Sequence, residues 1–227
     1  MTAWCVGFGT IPCENTPMFT GIITSLGQIS AVQPLGDSAS HGKRLTIQCP
    51  AAYLDDVTLG DSIALNGACM TVTALDAAAH QFSVDISAES LARTAGLGAL
   101  GPINLEKAMR ANDRLGGHMV SGHVDGIGHV TRFEQVGESW LLAVMAPPEL
   151  GKYLAFKGSI TVNGVSLTVN RVQDEPAGCL VTINLIPHTL ENTTLSTLQN
   201  GSGVNLEIDL IARYVERMLS PTALPAA

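Results

Sequence analysis

Charge is scarce in this chain. Only 14% of the 227 residues are charged, and 12 Lys and Arg face 20 Asp and Glu, for a net charge of −8. Nucleic acid selects for clustered basic side chains, so that class of partner is excluded. Aromatic residues make up only 4%. The longest aliphatic run, Leu141 to Ala146, is far short of the ~20 residues that a bilayer-spanning helix needs, so no membrane helix is expected. Residues 1–17 contain no Lys or Arg and lack the basic start of a secretory leader. The five cysteines (Cys5, Cys13, Cys49, Cys69, Cys179) form no Cys-x-x-Cys pair. That argues against a zinc site or a disulfide scaffold and for a reducing cytoplasm. No Gly-x-Gly-x-x-Gly follows a strand signal, so the nicotinamide domain of a flavin reductase barrel is not expected.

What is present is 46% hydrophobic residues with 23 Gly and 11 Pro. Together with abundant Val, Ile and Thr, this composition predicts an all-β protein with many turns. The chain also repeats itself. Ser62 to Thr73 resembles Ser159 to Asn170 at an offset of 97. Thr20-Gly21 matches Ser121-Gly122, and Ile103-Asn104-Leu105-Glu106 matches Val204-Asn205-Leu206-Glu207, both at 101. Glu89-Ser90-Leu91 matches His188-Thr189-Leu190 at 99. A period near 100 is too long for a solenoid and fits two copies of a domain. We therefore expect a tail over 1–17, one domain over 18–117, a second over 118–206 and a closing helix over 207–219.

Asn66-Gly67 and Asn163-Gly164 each lie between alternating residues, the signature of a type I′ hairpin. Side-chain alternation puts Ile63, Leu65, Ala68, Met70 and Val72 on one apolar face. Ser62, Ala64, Cys69, Thr71 and Thr73 fall on the other. In the second copy Ile160, Val162, Val165, Leu167 and Val169 form the apolar set, with Ser159, Thr161, Ser166, Thr168 and Asn170 opposite. Closing about six strands per copy into a small barrel removes exposed edges. Cys69-x-Thr71 and Ser166-x-Thr168 then occupy equivalent outward positions, suited to two similar ligands.

Ser87 is a candidate cap for a short helix over Ala88 to Thr94, stopping at Gly96. Ile208, Ile211, Ala212, Val215, Met218 and Leu219 recur at helical spacing. Glu207 and Asp209 near the start and Arg213 and Arg217 later suit the helix dipole, and Pro221 ends the segment. This helix has no counterpart in the first copy. It either packs on its own barrel or binds a neighbouring subunit. His118, His123 and His129 do not form a metal set, because 118 and 123 point to opposite faces of an extended strand.

Several long motifs carry a resemblance. Met18-Phe19-Thr20-Gly21-Ile22-Ile23, Asn66-Gly67-Ala68-Cys69-Met70-Thr71-Val72 and Gly116-Gly117-His118-Met119-Val120-Ser121-Gly122-His123-Val124-Asp125 occur in order. So do Asn163 to Val169, Leu185 to Leu195 and Asn205 to Arg217. Together they resemble the riboflavin synthase family of the α-chain type, from residue 18 to about 219. The resemblance implies two tandem, similar, six-stranded antiparallel Greek-key barrels plus a C-terminal α-helix. It implies a transferase that needs no cofactor and dismutates two molecules of 6,7-dimethyl-8-ribityllumazine by four-carbon transfer. The products are riboflavin and 5-amino-6-ribitylaminouracil. It also implies a homotrimer held by the C-terminal helices, and raises association with lumazine synthase.

Residue by residue, the resemblance implies first-copy lumazine contacts at Gly21, Ile22, Ile23, Cys69, Met70, Thr71, Asp85, Ile86, Ser87, Ala88, Glu89 and Ser90. Gly122, His123 and Val124 match the linking segment. Lys157, Ser166, Leu167, Thr168, Asn184, Leu185, Ile186, Pro187, His188 and Thr189 match second-copy contacts. Ser62, Cys69 and His123 match the positions expected to carry chemistry: Cys69 or Ser62 to bond or add to the acceptor ring, His123 to transfer protons. A non-catalytic lumazine or flavin carrier is the competing function. It needs only one good pocket, whereas both hairpins persist here. Some relatives have two adjacent cysteines where this chain has Ala68-Cys69. Ala68 falls on the apolar face, so that change leaves the site intact.

Overall fold

The structure is a computed structural model that describes residues 17–38 and 40–220. Residues 1–16 of the expected tail, including Cys5 and Cys13, and Pro221 lie outside the described residues. Six strands form the first barrel: β1 (Ser25–Pro34), β2 (Lys43–Gln48), β3 (Ser62–Leu65), β4 (Ala68–Asp76), β5 (Gln81–Ile86) and β6 (Gly101–Lys107). Six more form the second: β7 (Gly126–Val136), β8 (Ser139–Ala146), β9 (Ser159–Val162), β10 (Val165–Glu175), β11 (Gly178–Leu185) and β12 (Gly203–Ile208). The first closes in the order β1-β2-β5-β4-β3-β6, all antiparallel. The second repeats that order as β7-β8-β11-β10-β9-β12. Register shifts recur at matching places, Ile29/Ala31 with Val130/Arg132 and Val72/Ala74 with Val169/Arg171. Such bulges sharpen strand twist, which a small closed barrel requires.

The hairpin register is the one that alternation predicts. Ser62 pairs with Thr71, Ile63 with Met70, Ala64 with Cys69 and Leu65 with Ala68. Asn66 and Gly67 take φ of 46° and 86°, and Asn163 and Gly164 take 49° and 78°. These are the left-handed conformations of a type I′ turn. Ile63, Leu65, Ala68, Met70 and Val72 are buried in the first barrel beside Phe82, Val84, Ile103 and Leu105. Ile160, Val162, Val165 and Val169 are buried in the second beside Leu142, Val144 and Val181, with Leu167 packed against them.

The two turns meet. A Cβ at Gly67 would lie 2.8 Å from the Gly164 nitrogen. Asn104 donates from its side chain to the Asn163 carbonyl (2.9 Å) and accepts from the Thr194 amide (2.7 Å). Asn205 mirrors it, donating to the Asn66 carbonyl (3.0 Å) and accepting from the Ala95 amide (2.6 Å). The backbone amides of Asn104 and Asn205 bond the side-chain oxygens of Asn66 and Asn163. Four buried asparagines therefore join the barrels, and each buried amide has a partner, as burial of polar groups requires.

Among the described residues there are three α-helices, α1 (Ala88–Arg93), α2 (Pro187–Glu191) and α3 (Leu210–Leu219), besides three 3-10 turns. Ser87 caps α1 by accepting from the Ser90 amide. The closing helix starts later than the expected 207. Glu207 and Ile208 belong to β12, paired with Thr161 and Ile160, and Asp209 caps α3 by accepting from the Ile211 amide. Ile208 satisfies helical and strand spacing alike, and the ladder to β9 decides between them.

Candidate functional site

The segments 18–24 and 118–125 precede β1 and β7. They pair with each other through Phe19 and Val120, with bonds of 2.7 and 3.1 Å. Each then crosses to the other barrel. The Gly21 carbonyl accepts from the Ser166 amide on β10 (2.7 Å), and the Gly122 carbonyl accepts from the Cys69 amide on β4 (2.8 Å). Ile23 packs against the second barrel's core and Val124 against the first's. Gly21 and Gly122 have φ of +75° and +78°. A Cβ on either would stand 2.6 Å from the Cβ of Ser166 or Cys69. Only glycine meets both demands.

This exchange regroups the expected contacts. Gly21, Ile22 and Ile23, assigned by resemblance to the first copy, lie with Ser166 on the second barrel. Gly122, His123 and Val124 lie with Cys69 on the first. One face is thus Ser62, Cys69, Thr71 and His123, the other Ser166, Thr168 and Ile22. The middle of each hairpin is not open as alternation alone suggested. Ala64 is buried against Phe19 and Val120, and Thr161, its counterpart, is also buried.

Two buried carboxylates hold the arms. Glu106 accepts from the Thr20 amide and hydroxyl (2.7 Å each) and from the Gly21 amide (3.0 Å). Glu207 accepts from the Ser121 amide and hydroxyl (2.7 Å each) and from the Gly122 amide (3.0 Å). Burial pushes the Glu207 carboxyl up to about 7, against bonds from Ser121 that favour its charged form. Burial raises Glu106 as well, opposed by the bonds from Thr20.

On the first face the Cys69 thiol is raised by burial, with Ser62 acting against that shift, so Cys69 is a neutral thiol near pH 7. His123 is exposed, and Ser62 lines a cavity of about 310 Å³ with Asp56, Asp61, Lys107 and Arg110. Asp85 is engaged by Arg44 in a bidentate pair of 2.7 and 2.8 Å, and that hydrogen bond holds its carboxyl below the ordinary carboxylate range. Ser87 and Ser90 bond each other at the cap of α1, while Ala88 and Glu89 form its first turn. The side chains of Met70, Ile86 and Leu185 point into the cores, so only their backbones face outward.

On the second face Lys157 has φ of +62° and bonds the Asn170 side chain at 2.9 Å. Its ammonium stands 5.4 Å from the ring centre of the exposed Phe156. Asn184 accepts from the Ser139 hydroxyl (2.9 Å), and Ile186 is exposed beside Pro187, His188 and Thr189 of α2. Both faces reach solvent in the single chain: Thr71 and His123 are exposed on the first, Ile22 and Thr168 on the second.

The lumazine binding domain family matches this chain twice, over residues 20–108 and 121–209. Riboflavin synthase of Bacillus subtilis (strain 168) is 46% identical over 204 residues, covering 89% of this chain and 90% of that one. The chain belongs to the riboflavin synthase family. Riboflavin synthase of Actinobacillus pleuropneumoniae is 42% identical over 205 residues, covering 89% of this chain and 90% of that one. The fold is shared with the crystal structure of LumP complexed with 6,7-dimethyl-8-(1'-D-ribityl) lumazine. That likeness has a TM-score of 0.71 at 23% identity and covers 84% of this chain and 98% of that one.

Membership in the riboflavin synthase family makes the chain an enzyme of the transferase class. Sequence reasoning passed over the structural part of four residues that hold the arms and turns: Glu106, Glu207, Asn104 and Asn205. Their signal was available, since Asn104-Leu105-Glu106 recurs as Asn205-Leu206-Glu207. It marked the repeat but did not reveal that buried carboxylates clamp the arms.

Proposed function

We propose that the chain converts two molecules of 6,7-dimethyl-8-ribityllumazine into riboflavin and 5-amino-6-ribitylaminouracil, one molecule bound on each hairpin face. The observation that carries this reading is the pair of matched faces, Cys69 with Gly122 and Ser166 with Gly21, built by reciprocal arms. Donor and acceptor are the same compound, so two like sites are what the chemistry needs. Holding both rings in reacting geometry removes much of the entropic barrier. The 7-methyl group of one ring is acidic because the ring delocalises its carbanion, and carbon 7 of the other ring is electrophilic. Cys69 or Ser62 is the candidate to bond or add to the acceptor, and the exposed His123 is the candidate for proton transfer.

The exposure of Thr71, His123, Ile22 and Thr168 in one chain supports closure of each face by a neighbour. Ile211, Tyr214, Val215, Met218 and Leu219 of α3 are all exposed. The polar side of the helix is tied to its own barrel by Lys152 to Glu216 (2.7 Å) and Arg213 to Asp125 (2.6 Å). An apolar helix face left uncovered this way supports association through α3, and the reading is a homotrimer with barrel 1 of one subunit against barrel 2 of the next. The free thiols of Cys49, Cys69 and Cys179 suit a reducing cytoplasm. No described helix is long and apolar enough to cross a membrane.

The test is direct. Purified protein incubated with the lumazine alone should accumulate riboflavin without an added cofactor. A tightly held fluorescent ligand without turnover would make it a carrier instead.

A further inference from the structure

The two faces match in backbone, and one difference between them is a buried histidine. Ser166 and Cys69 hold equivalent places, but only Ser166 has a histidine behind it. His118 Nδ1 lies 2.7 Å from Ser166 Oγ. At the repeat offset of 101, the first-copy counterpart of His118 is Pro17, which has no hydrogen-bonding side chain. The imidazole is only 9% exposed. Its backbone donates to the Thr20 carbonyl at 3.1 Å. The preceding Gly117 is packed so closely that a Cβ there would stand 2.8 Å from Ser166 Oγ and 2.1 Å from the Thr20 carbonyl oxygen. The segment that carries the ring thus packs against Ser166 too closely for any side chain at position 117.

Among the described residues, His118 Nε2 is buried without a hydrogen-bond partner. Burial also lowers the proton affinity of this ring, opposed only by the charge of Asp209, so it is neutral near pH 7. A neutral ring carries one N–H, on Nδ1 or on Nε2. Orphaned buried N–H groups are rarer than under-satisfied acceptors. The orphan at Nε2 is therefore the bare lone pair, and Nδ1–H donates to Ser166 Oγ. Having accepted that bond, the half-buried Ser166 hydroxyl has its own proton free to point outward.

We propose that His118 is a positioning residue of the second face, holding the Ser166 hydroxyl as a fixed donor toward an acceptor oxygen or nitrogen of the bound ring. This rests on the lumazine reading above. It makes the two faces chemically unequal: a preset hydroxyl donor on one, a thiol, which is a weak donor, on the other.

The experiment compares His118→Leu, His118→Asn, Ser166→Ala and the double variant His118→Leu/Ser166→Ala with the native chain. Asn places an amide N–H near the position of Nδ1. Loss of one oriented hydrogen bond should lower kcat/KM of His118→Leu about tenfold, with His118→Asn within about threefold of native. The double variant should be no slower than Ser166→Ala alone. Full activity in His118→Leu, no rescue by Asn, or multiplicative losses in the double variant would each overturn the proposal while leaving the synthase reading intact. A native chain that makes no riboflavin would remove both. Should His118→Leu fail to fold, nitrogen-15 histidine spectra of the native protein decide: a protonated Nδ1 with bare Nε2 is expected, and the opposite tautomer overturns the assignment.

Discussion

Cys69 and Ser166 stand at equivalent places on β4 and β10, each donating its amide to a glycine of the opposite arm. What distinguishes them is chemistry at the side chain. Cys69→Ala removes a neutral thiol from the outer face without opening the core, so turnover should fall while the melting temperature stays within a few degrees. A native rate in steady-state assays would remove Cys69 from the chemistry. Glu207 offers a different residue-scale test. Its folded-state value, about 7, lies above the ordinary carboxylate range. The folded protein therefore binds more protons than the unfolded chain between about pH 4.3 and 7. Its contribution is fully present below the unfolded value and is lost as pH rises through the folded one. Native protein should lose stability relative to Glu207→Gln across pH 5 to 8, measured by urea unfolding at each pH. Buried His118, whose value is lowered, acts in the opposite sense in both proteins and cancels from the comparison. Parallel pH curves for the two proteins would show that Glu207 does not titrate in that window.

At the scale of elements, the crossed arms and the closing helix govern the site. Gly122→Ala demands a left-handed conformation from a residue with a Cβ and places that atom 2.6 Å from Cys69 Cβ. We expect a loss of more than about 1 kcal/mol and a larger fall in activity, because the arm that lifts off carries His123. Unchanged unfolding and turnover would show that the arm does not need this conformation. The helix calls for a specific cut. Truncation before Glu207 would remove the last two of the six residues of β12 and the clamp on Ser121, so it tests the barrel rather than the helix. Truncation after Asp209 leaves β12 complete. The expected product has native strand content by circular dichroism, sediments as a monomer and makes no riboflavin. An active trimer from that chain would show that α3 is dispensable for assembly.

For the whole molecule, the repeat is a structural pseudo-symmetry. Asn66, Asn104, Asn163 and Asn205 join the barrels across it, and Glu106 and Glu207 clamp reciprocal arms. Two equivalent faces on one chain, both open, predict that a working site combines barrel 1 of one subunit with barrel 2 of another. Cys69→Ala and Ser166→Ala subunits, each impaired alone, should then regain activity when unfolded together and refolded as mixed oligomers. One kind of interface in the mixture carries two native faces. Mixtures no better than the average of the parents would place both faces of a working site in one subunit.

Much of this was legible in the chain. Alternation around Asn66-Gly67 and Asn163-Gly164 determined the hairpin register, the inward residues and the turn conformation, because strand periodicity and left-handed turn preference act over a few residues. The repeat determined that there are two barrels, and the familiar motifs determined the family. Tertiary structure alone decided which arm serves which barrel. Gly21 meets Ser166 and Gly122 meets Cys69 through contacts far apart in sequence, for which no local pattern exists. It also decided that Glu207 is a buried strand residue and not the first turn of a helix. The ladder to β9 and three donors from the arm outweigh a helical spacing that Ile208 fits equally well. Local preferences act along the chain, and the pairing of its distant parts is settled only when both barrels bury their cores together.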